Sequence, residues 1–191
     1  FTLFCVFIFY NTLNFLDGFN GIFASVTIYW LLILIFISGL FSIILFSLLI
    51  SVLLFLYFNL KKKVFIGNSG NSFFSIILSS LYIYSYNLNN QIYCDEIFFT
   101  FIIPGIDTVR VSIQRLIKGK SPLVADQTHL HHILANRFKK NSLWIIYIII
   151  TMIPLGILNL SSSFIISLIA SLLIYSAAIM SFRKNSFKKI N

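Results

Sequence analysis

Long apolar segments dominate this sequence and limit the folds that are open to it. A helix needs roughly 20 mostly apolar residues to cross the hydrocarbon core of a bilayer. Hydrophobic residues make up 59% of the 191-residue chain and charged residues only 10%, a balance outside the usual range of soluble domains. The sequence therefore predicts an all-α, polytopic membrane helix bundle and excludes a water-soluble fold. Four segments meet the length requirement with few or no charges: Ile22–Leu40, Phe41–Leu60, Leu143–Leu160 and Phe164–Phe182.

Two further segments have the length of a membrane span but carry polar residues. Val64–Tyr86 contains a Gly-Asn-Ser-Gly stretch near its start, so we expect its helix to begin inside that stretch. Ile92–Val111 contains acidic residues and is the weakest candidate. Phe1–Tyr10 has the composition of the end of an interrupted membrane helix. Together these segments predict about six to seven transmembrane helices in a single membrane domain, residues 1–191, which we expect to be the C-terminal part of a longer protein.

The distribution of basic residues predicts the orientation of the chain. Lys and Arg in short loops collect on the cytosolic side of a membrane. If Ile92–Val111 crosses, all 14 basic residues lie on one face; if it does not cross, only Lys61–Lys63 stay there and 11 move to the other. The crossing arrangement is therefore favoured. The net charge of +9 is then explained by membrane topology and by attraction to anionic lipid, and not by nucleic-acid binding. The predicted cytosolic parts are Asn11–Gly21, Lys61–Asn71, the long loop 110–141 and the C-terminal tail.

The first polar segment places Asn11, Asn14 and Asp17 three residues apart, roughly on one face of a helix. The Asp17-Gly18 and Asn20-Gly21 pairs are typical of a helix stop followed by turns. Two interpretations are open. The residues are ordinary turn residues before the next span, or they face a wet cavity, where acids and amides at membrane depth are usually found.

The second polar segment follows three lysines and leads from Gly67 directly into an apolar helix. Free backbone N–H groups at such a helix start can receive phosphate oxygens. The alternative is a plain helix cap with lysine anchors beside it. The Gly-x-x-Gly spacing alone does not separate the two.

The third polar region runs from Pro104 to His132 and holds all three histidines of the chain within four positions, with Asp126 nearby. Such imidazoles can bind a metal, exchange protons or hold a phosphate. A zinc site needs further ligands, and Cys5 and Cys94 lie elsewhere, so anion or substrate handling is favoured over a metal site or a solvated loop. The residues alone predict phosphate chemistry at the inner leaflet and go no further.

These motifs resemble the polyprenyl-phosphate N-acetylhexosamine-1-phosphate transferases of glycosyltransferase family 4, which start lipid-linked glycan and peptidoglycan synthesis. Asn11–Gly21 is similar to the family's Asn-x-x-Asn-x-x-Asp-Gly-x-Asp-Gly motif, and Gly67–Gly70 to its Gly-Asp-x-Gly-Ser motif. The stretch from Pro104 through residues 118–122 to His132 is similar to the branch that transfers N-acetylglucosamine-1-phosphate onto undecaprenyl phosphate. The order, spacing and topology of the motifs agree over nearly the whole chain.

The resemblance implies a multi-pass enzyme of the bacterial inner membrane with its active face in the cytosol. It implies transfer of an amino-sugar-1-phosphate, with GlcNAc-1-phosphate favoured, from a UDP-N-acetylhexosamine to a polyprenyl phosphate, with Mg²⁺ (or Mn²⁺) as cofactor and UMP as product. Lipopolysaccharide, O-antigen and cell wall biogenesis are the pathways it suggests, and it allows a homodimer.

The resemblance also implies roles for individual residues. Catalytic roles fall on Asp17, Asn20 and Asp107, and metal binding on Asn68 and Asp17. Substrate binding falls on Asn11, Asn14, Gly67, Ser69, Gly70, Arg115, His129, His131 and His132.

Two positions depart from the family pattern. Asn20 and Asn68 stand where the motifs have aspartates, and the family's paired aspartates would lie upstream of Phe1. A catalytically impaired protein that binds nucleotide-sugar or lipid phosphate is therefore the alternative hypothesis. A solute transporter is disfavoured, because the polar residues gather in loops on one face and not at the bilayer midplane.

Overall fold

A computed structural model describes residues 2–36, 43–87, 92–121, 128–139 and 142–183, and of residues 181–183 the backbone alone. These parts of the chain contain eight α-helices and no strand, which confirms the predicted all-α class. The helices are α1 (Thr2–Leu16), α2 (Ile22–Phe36), α3 (Ile43–Leu60), α4 (Gly67–Asn87), α5 (Cys94–Ile117), α6 (Leu130–Ala135), α7 (Leu143–Ser161) and α8 (Phe164–Arg183).

Helix α2 forms the centre of the bundle. It is apolar on every side, and such a helix is found in a large core or in a membrane. Most of its side chains are buried, and it packs against α3, α7, α4 and α1. Helix α5 packs against α7, α1 and α8, and the short α6 lies against α8 and α7.

A proline inside α5 fixes how α2 meets α5. Pro104 has no N–H, so the carbonyl of Thr100, four residues earlier, loses its partner within the helix. The indole Nε1 of Trp30 donates a 3.3 Å hydrogen bond to that carbonyl, and the Tyr82 hydroxyl donates to the Trp30 carbonyl at 2.9 Å. All of these groups are buried, and the Trp30 indole supplies the donor that the Thr100 carbonyl lacks.

The outer helices expose large apolar side chains, as lipid-facing helices do. Ile43 is 90% exposed and Leu160 is 90% exposed, although both lie in strongly apolar helices. Within the described residues, α3 and α7 are long and apolar enough to cross a membrane, while Thr2–Leu16, Ile22–Phe36 and Phe164–Met180 are apolar but shorter. A membrane bundle is consistent with this arrangement. The number of six to seven spans stays a prediction.

Most predicted helix positions agree with the structure. The helix predicted within Val64–Tyr86 begins inside its polar stretch, at Gly67, as expected, and α3, α7 and α8 match their predicted spans closely. The end of the predicted span Ile22–Leu40 lies outside the described residues. The predicted long loop 110–141 begins as helix, because α5 continues to Ile117 and buries Val111 and Arg115 on its inner face.

A buried amide joins the two loops at one end of the bundle. Asn59 Oδ1 accepts a hydrogen bond from the Gly21 N–H at 2.6 Å, and Asn59 Nδ2 donates to the Val64 carbonyl at 2.9 Å. Asn59 is only 4% exposed, although it lies in an otherwise apolar helix. One side chain therefore holds the turn after α1 beside the loop between α3 and α4.

We expect Asn59→Ala to destabilise the protein, because it leaves two backbone groups without their partner. Each unsatisfied buried group costs about 1–3 kcal/mol. The melting temperature in detergent should fall clearly for this variant. Asn87→Ala, which removes an exposed amide at the end of α4, is the matched control and should change the unfolding free energy by less than about 0.5 kcal/mol. Equal melting temperatures for the two variants would contradict the proposed link between the loops.

Candidate functional site

The Asp17 carboxylate lies against the N-terminus of α4. Helix α1 ends at Leu16, and the turn that follows directs Asp17 toward the backbone N–H groups of Ile66 and Gly67. Burial raises the pKa of Asp17, and the two N–H groups lower it in part. A helix N-terminus carries partial positive charge that favours such a carboxylate. The N–H groups predicted to receive phosphate oxygens therefore already face an acid of the same chain.

Polar side chains connect α1 to two of its neighbours. Asn71 Nδ2 donates to Asn14 Oδ1 at 3.1 Å, which joins α4 to α1. The hydroxyls of Thr12 and Thr108 lie 3.0 Å apart and join α1 to α5. These contacts hold the end of α1, and with it Asp17, in a fixed position between α4 and α5.

A second carboxylate, that of Asp107 in α5, is 3% exposed and surrounded by donors. Its Oδ1 accepts from Arg110 Nη2 at 2.8 Å and from the Tyr175 hydroxyl at 2.7 Å. Its Oδ2 lies 2.9 Å from Nδ1 of His129, and the backbone N–H of Leu130 lies 3.1 Å from both oxygens. Asp107 thus ties α5 to α8 and to the start of α6. We call Asp107, Arg110, His129 and Tyr175 the Asp107 cluster.

Arg110 completes the Asp107 cluster. Its Nε donates to the Tyr175 hydroxyl at 2.6 Å, and its Nη2 donates to the Thr128 carbonyl at 2.6 Å. The guanidinium therefore contacts α8 and the segment before α6 at the same time. Such charge-assisted hydrogen bonds are stronger than neutral ones.

A cavity of about 180 Å³ lies between the end of α1 and the histidine segment. Its lining residues are Asn14, Phe15, Asp17, Gly18, His129, His131 and His132. Nε2 of His129 and both ring nitrogens of His131 are buried and have no hydrogen-bond partner among the described residues. Buried polar atoms normally have partners, so these nitrogens are suited to contact a ligand.

Aromatic rings hold the imidazoles in place. The ring centroid of Phe15 lies 4.5 Å from that of His129, and Phe19 contacts the rings of His131 and His132 at 5.7 Å and 5.1 Å. The rings of His129 and His131 are nearly parallel, with centroids 5.6 Å apart.

The imidazole of His131 is kept neutral by its surroundings. Burial lowers the pKa of His131 to about 3, and the neighbouring His132 contributes in the same direction. A neutral imidazole offers one donor and one acceptor. His131 can therefore make polar contacts to a ligand without adding charge.

The structure brings five of the predicted site residues together around the cavity: Asn14, Asp17, His129, His131 and His132. Asp107 does not line the cavity and reaches it only through His129.

The other predicted residues lie outside the cavity lining. Asn11 donates to a carbonyl of its own helix, Gly67 faces Asp17, and Gly70 packs against Ile66. Arg115 is buried near the ring of Phe15, whereas Asn20, Asn68 and Ser69 are exposed. Asp126 lies outside the described residues.

Sequence reasoning missed three residues that build the site. Asn59 and Asn71 hold the loops and α1, and Tyr175 holds Asp107. An amide inside a predicted span, such as Asn59, is a recognisable signal, because polar groups at that depth need a partner. Tyr175 gave no signal, since tyrosine is frequent throughout the chain.

The described residues contain no group of three or more His, Cys, Asp or Glu side chains arranged to hold a metal. Among the described residues, Asp17 is the single carboxylate that lines the cavity, and the Asn14 amide lines it as well. Mg²⁺ prefers oxygen ligands and is often held by one or two carboxylates together with substrate phosphates. These residues fit a hard cation of that kind and do not fit a zinc site.

Residues 1–86 match the model of glycosyl transferase family 4, which confirms the resemblance predicted from the motifs. The matched part contains α1 to α4, and with them Asp17 and the start of α4.

Two curated relatives are both named undecaprenyl-phosphate alpha-N-acetylglucosaminyl 1-phosphate transferase. The protein from Haemophilus influenzae is 31% identical over 96 residues, which cover 47% of this chain and 27% of the relative. The protein from Yersinia pestis is 27% identical over 144 residues, which cover 70% of this chain and 40% of the relative. The chain therefore spans less than half the length of these relatives. No solved structure matches it significantly.

We expect Gly18→Ala to disturb the cavity. A Cβ at this position would lie 2.6 Å from Nε2 of His131, so the ring or the turn must move. Overpacking of this kind costs about 1–3 kcal/mol. Gly105→Ala is the control, because a Cβ there meets nothing within 4 Å and alanine is favoured over glycine in a helix by about 1 kcal/mol. Melting temperatures in detergent should fall for Gly18→Ala and stay or rise for Gly105→Ala. The opposite order would contradict the close approach of His131 to Gly18.

The lowered pKa of His131 predicts a loss of stability in mild acid. Above pH 6.5 neither the folded nor the unfolded state binds a proton at this residue. Between pH 6.5 and about 3 only the unfolded state does, so the free energy of unfolding falls as the pH falls. The slope from this one group is at most about 1.4 kcal/mol per pH unit. Unfolding curves at pH 7, 6 and 5 should therefore diverge less for His131→Gln than for the unmodified protein. Parallel pH dependence of the two proteins would contradict the neutral, buried state of His131.

Proposed function

We propose that the protein transfers an amino-sugar-1-phosphate, with GlcNAc-1-phosphate as the favoured group, from a UDP-sugar to a polyprenyl phosphate. The observation that carries this proposal is the single cavity in which the Asp17 carboxylate and the Asn14 amide face three imidazoles. The names of the two relatives support the same reaction. Phosphoryl transfer depends mainly on positioning and on electrostatic stabilisation, and these residue types supply both.

The reaction forms one P–O bond and breaks another. An oxygen of the polyprenyl phosphate attacks the sugar-bearing phosphorus of the UDP-sugar. The bond from that phosphorus to the bridging oxygen breaks, and UMP leaves with the electron pair. Negative charge therefore develops on the departing phosphate, and groups that neutralise this charge lower the barrier.

The histidines would contact the nucleotide-sugar. Nδ1 of His129 is held by the Asp107 carboxylate, so its Nε2 would be the ring atom that contacts the nucleotide-sugar. His131 stays neutral and would accept or donate a hydrogen bond to an uncharged part of the substrate. The two neighbouring imidazoles thus differ in their protein partners, and each would contact a different part of the substrate.

The acid at the other side of the cavity would serve the diphosphate through a cation. A bound Mg²⁺ or Mn²⁺ would neutralise diphosphate charge, with Asp17 as its carboxylate ligand and Asn68 as a further candidate. Within the protein, the N–H groups of Ile66 and Gly67 orient the Asp17 carboxylate, and Asn71 orients Asn14.

We infer that the site faces the cytosol from the inner membrane of a bacterium. The contact of Asn59 with Gly21 and Val64 holds the turn that contains Asp17 beside the loop that contains Lys61, Lys62 and Lys63. Lysines in a short loop favour the cytosolic side, which is also the side where nucleotide-sugars are available. Lipid-facing helices beside the same loops would supply the polyprenyl phosphate from the bilayer.

A binding protein without turnover is the alternative. Two observations favour it: Asn20 and Asn68 are exposed amides where the related motifs have acids, and one carboxylate lines the cavity among the described residues. An amide oxygen can bind a hard cation but lacks the negative charge that strengthens binding. Binding of a UDP-sugar without release of UMP would establish this alternative.

We expect Asp17→Asn in the full-length protein to lower transfer by about 10²–10³-fold, because it removes the charge at the reacting phosphates. The measurement is release of UMP from UDP-GlcNAc in the presence of polyprenyl phosphate. Asp95→Asn is the matched control, since Asp95 lies in the first turn of α5 and outside the cavity lining. Unchanged UMP release by Asp17→Asn would refute the role of Asp17.

A further inference from the structure

We propose that Tyr175 and Arg110 are positioning residues that lock the Asp107 carboxylate, so that Asp107 presents Nε2 of His129 to the substrate cavity. The expected effect on kinetics rests on the proposed function, whereas the expected effect on the orientation of His129 is independent of it. It assigns Asp107 a role through His129 and not a direct contact with the substrate. Neither Tyr175 nor Arg110 lines the cavity.

The two oxygens of Asp107 have separate tasks. Arg110 and Tyr175 both donate to Oδ1, at 2.8 Å and 2.7 Å. Oδ2 is thereby left for His129, whose Nδ1 lies 2.9 Å away. The carboxylate cannot rotate without breaking several of these contacts, and all of them are buried or partly buried. The orientation of the carboxylate therefore depends on the donors at Oδ1.

Within the Asp107 cluster, the Tyr175 hydroxyl links Asp107 to Arg110. It donates to Asp107 Oδ1 and accepts from Arg110 Nε at 2.6 Å. Arg110 in turn donates to the Thr128 carbonyl, next to His129 in the chain. Helix α8 therefore contributes to the site through one hydroxyl, although it forms no part of the cavity wall.

The cluster determines which nitrogen of His129 faces the ligand. Nδ1 is held by Asp107, so Nδ1 carries the proton of the neutral ring and Nε2 is left as the acceptor. Nε2 of His129 is buried and has no hydrogen-bond partner in the part of the chain that the structure describes. Removing the Tyr175 hydroxyl takes one donor from Asp107 and one acceptor from Arg110, which loosens the carboxylate and then the ring.

Tyr175→Phe in the full-length protein tests this proposal, with Tyr82→Phe as the matched control. Both tyrosines are buried and both hydroxyls donate one hydrogen bond, but Tyr82 donates to the Trp30 carbonyl, away from the Asp107 cluster. A purely structural role predicts a loss of melting temperature for each variant and no change at His129. A positioning role predicts that Tyr175→Phe, and not Tyr82→Phe, also changes the tautomer of His129 and the KM for UDP-GlcNAc.

The first readout is the ¹⁵N NMR spectrum of the histidine side chains, with the His129 signals assigned by their loss in His129→Gln. We expect Tyr175→Phe to move the His129 signals toward a mixture of tautomers, while Tyr82→Phe leaves them unchanged. If both variants leave the His129 signals unchanged, the proposal is overturned. If Tyr175→Phe does not fold, Arg110→Lys takes its place, because it keeps the charge and removes the forked contact to Asp107 and Tyr175.

The second readout is kinetic. Carboxylates that orient a metal-bound imidazole are worth about 10- to 100-fold in function, and we expect Tyr175→Phe to raise the KM for UDP-GlcNAc about tenfold. The KM for polyprenyl phosphate should stay the same. Suppose that neither the unmodified protein nor the variants release UMP, but Tyr175→Phe shifts the His129 signals. That result would refute the proposed transfer and support the positioning role. Normal transfer with equal KM values in both variants would refute the positioning role and keep the transfer.

Discussion

The arrangement around the cavity depends on one buried carboxylate. Asp107 is charged, is removed from solvent and lies in an apolar bundle, so its burial is tolerated only because donors surround it. Those donors come from α5 itself, from α8 and from the backbone at the start of α6. The need to satisfy this carboxylate therefore fixes where the histidine segment begins, and the histidines form one wall of the cavity.

The opposite wall is held by contacts of another kind. The Asn59 amide joins the two loops, Asn71 joins α4 to Asn14, and two N–H groups at the start of α4 face Asp17. None of these contacts is an ion pair. The two walls thus differ. The histidine wall is anchored by the Asp107 carboxylate, whose charge is balanced by Arg110, whereas the Asp17 wall is anchored by amide and backbone hydrogen bonds without a basic side chain at Asp17 among the described residues.

The sequence predicted the helices well because apolar length and polar interruptions determine them. The start of α4 at Gly67 and the stop before Asp17 both follow from local residue chemistry. The motifs also predicted that Asp17 and the histidines belong to one site, and the structure places them around one cavity. The contact of Tyr175 with Asp107 could not be predicted, since the two residues are 68 positions apart and no local pattern marks the pair. The continuation of α5 to Ile117 was missed because its basic residues were interpreted as loop, whereas Arg115 is buried on the inner face of the helix.

The contrast between the two acids explains how one small cavity could handle a diphosphate. Asp107 has its charge balanced by Arg110, so it adds little net field to the cavity and serves to hold His129. Asp17 has no ion pair among the described residues, and burial makes its charged form costly. A phosphate alone would be repelled by Asp17, and a cation alone would gain only one carboxylate. When both are bound, the cation lies at Asp17 and the phosphate lies between the cation and the histidines. On the proposed function, each would therefore bind more tightly in the presence of the other.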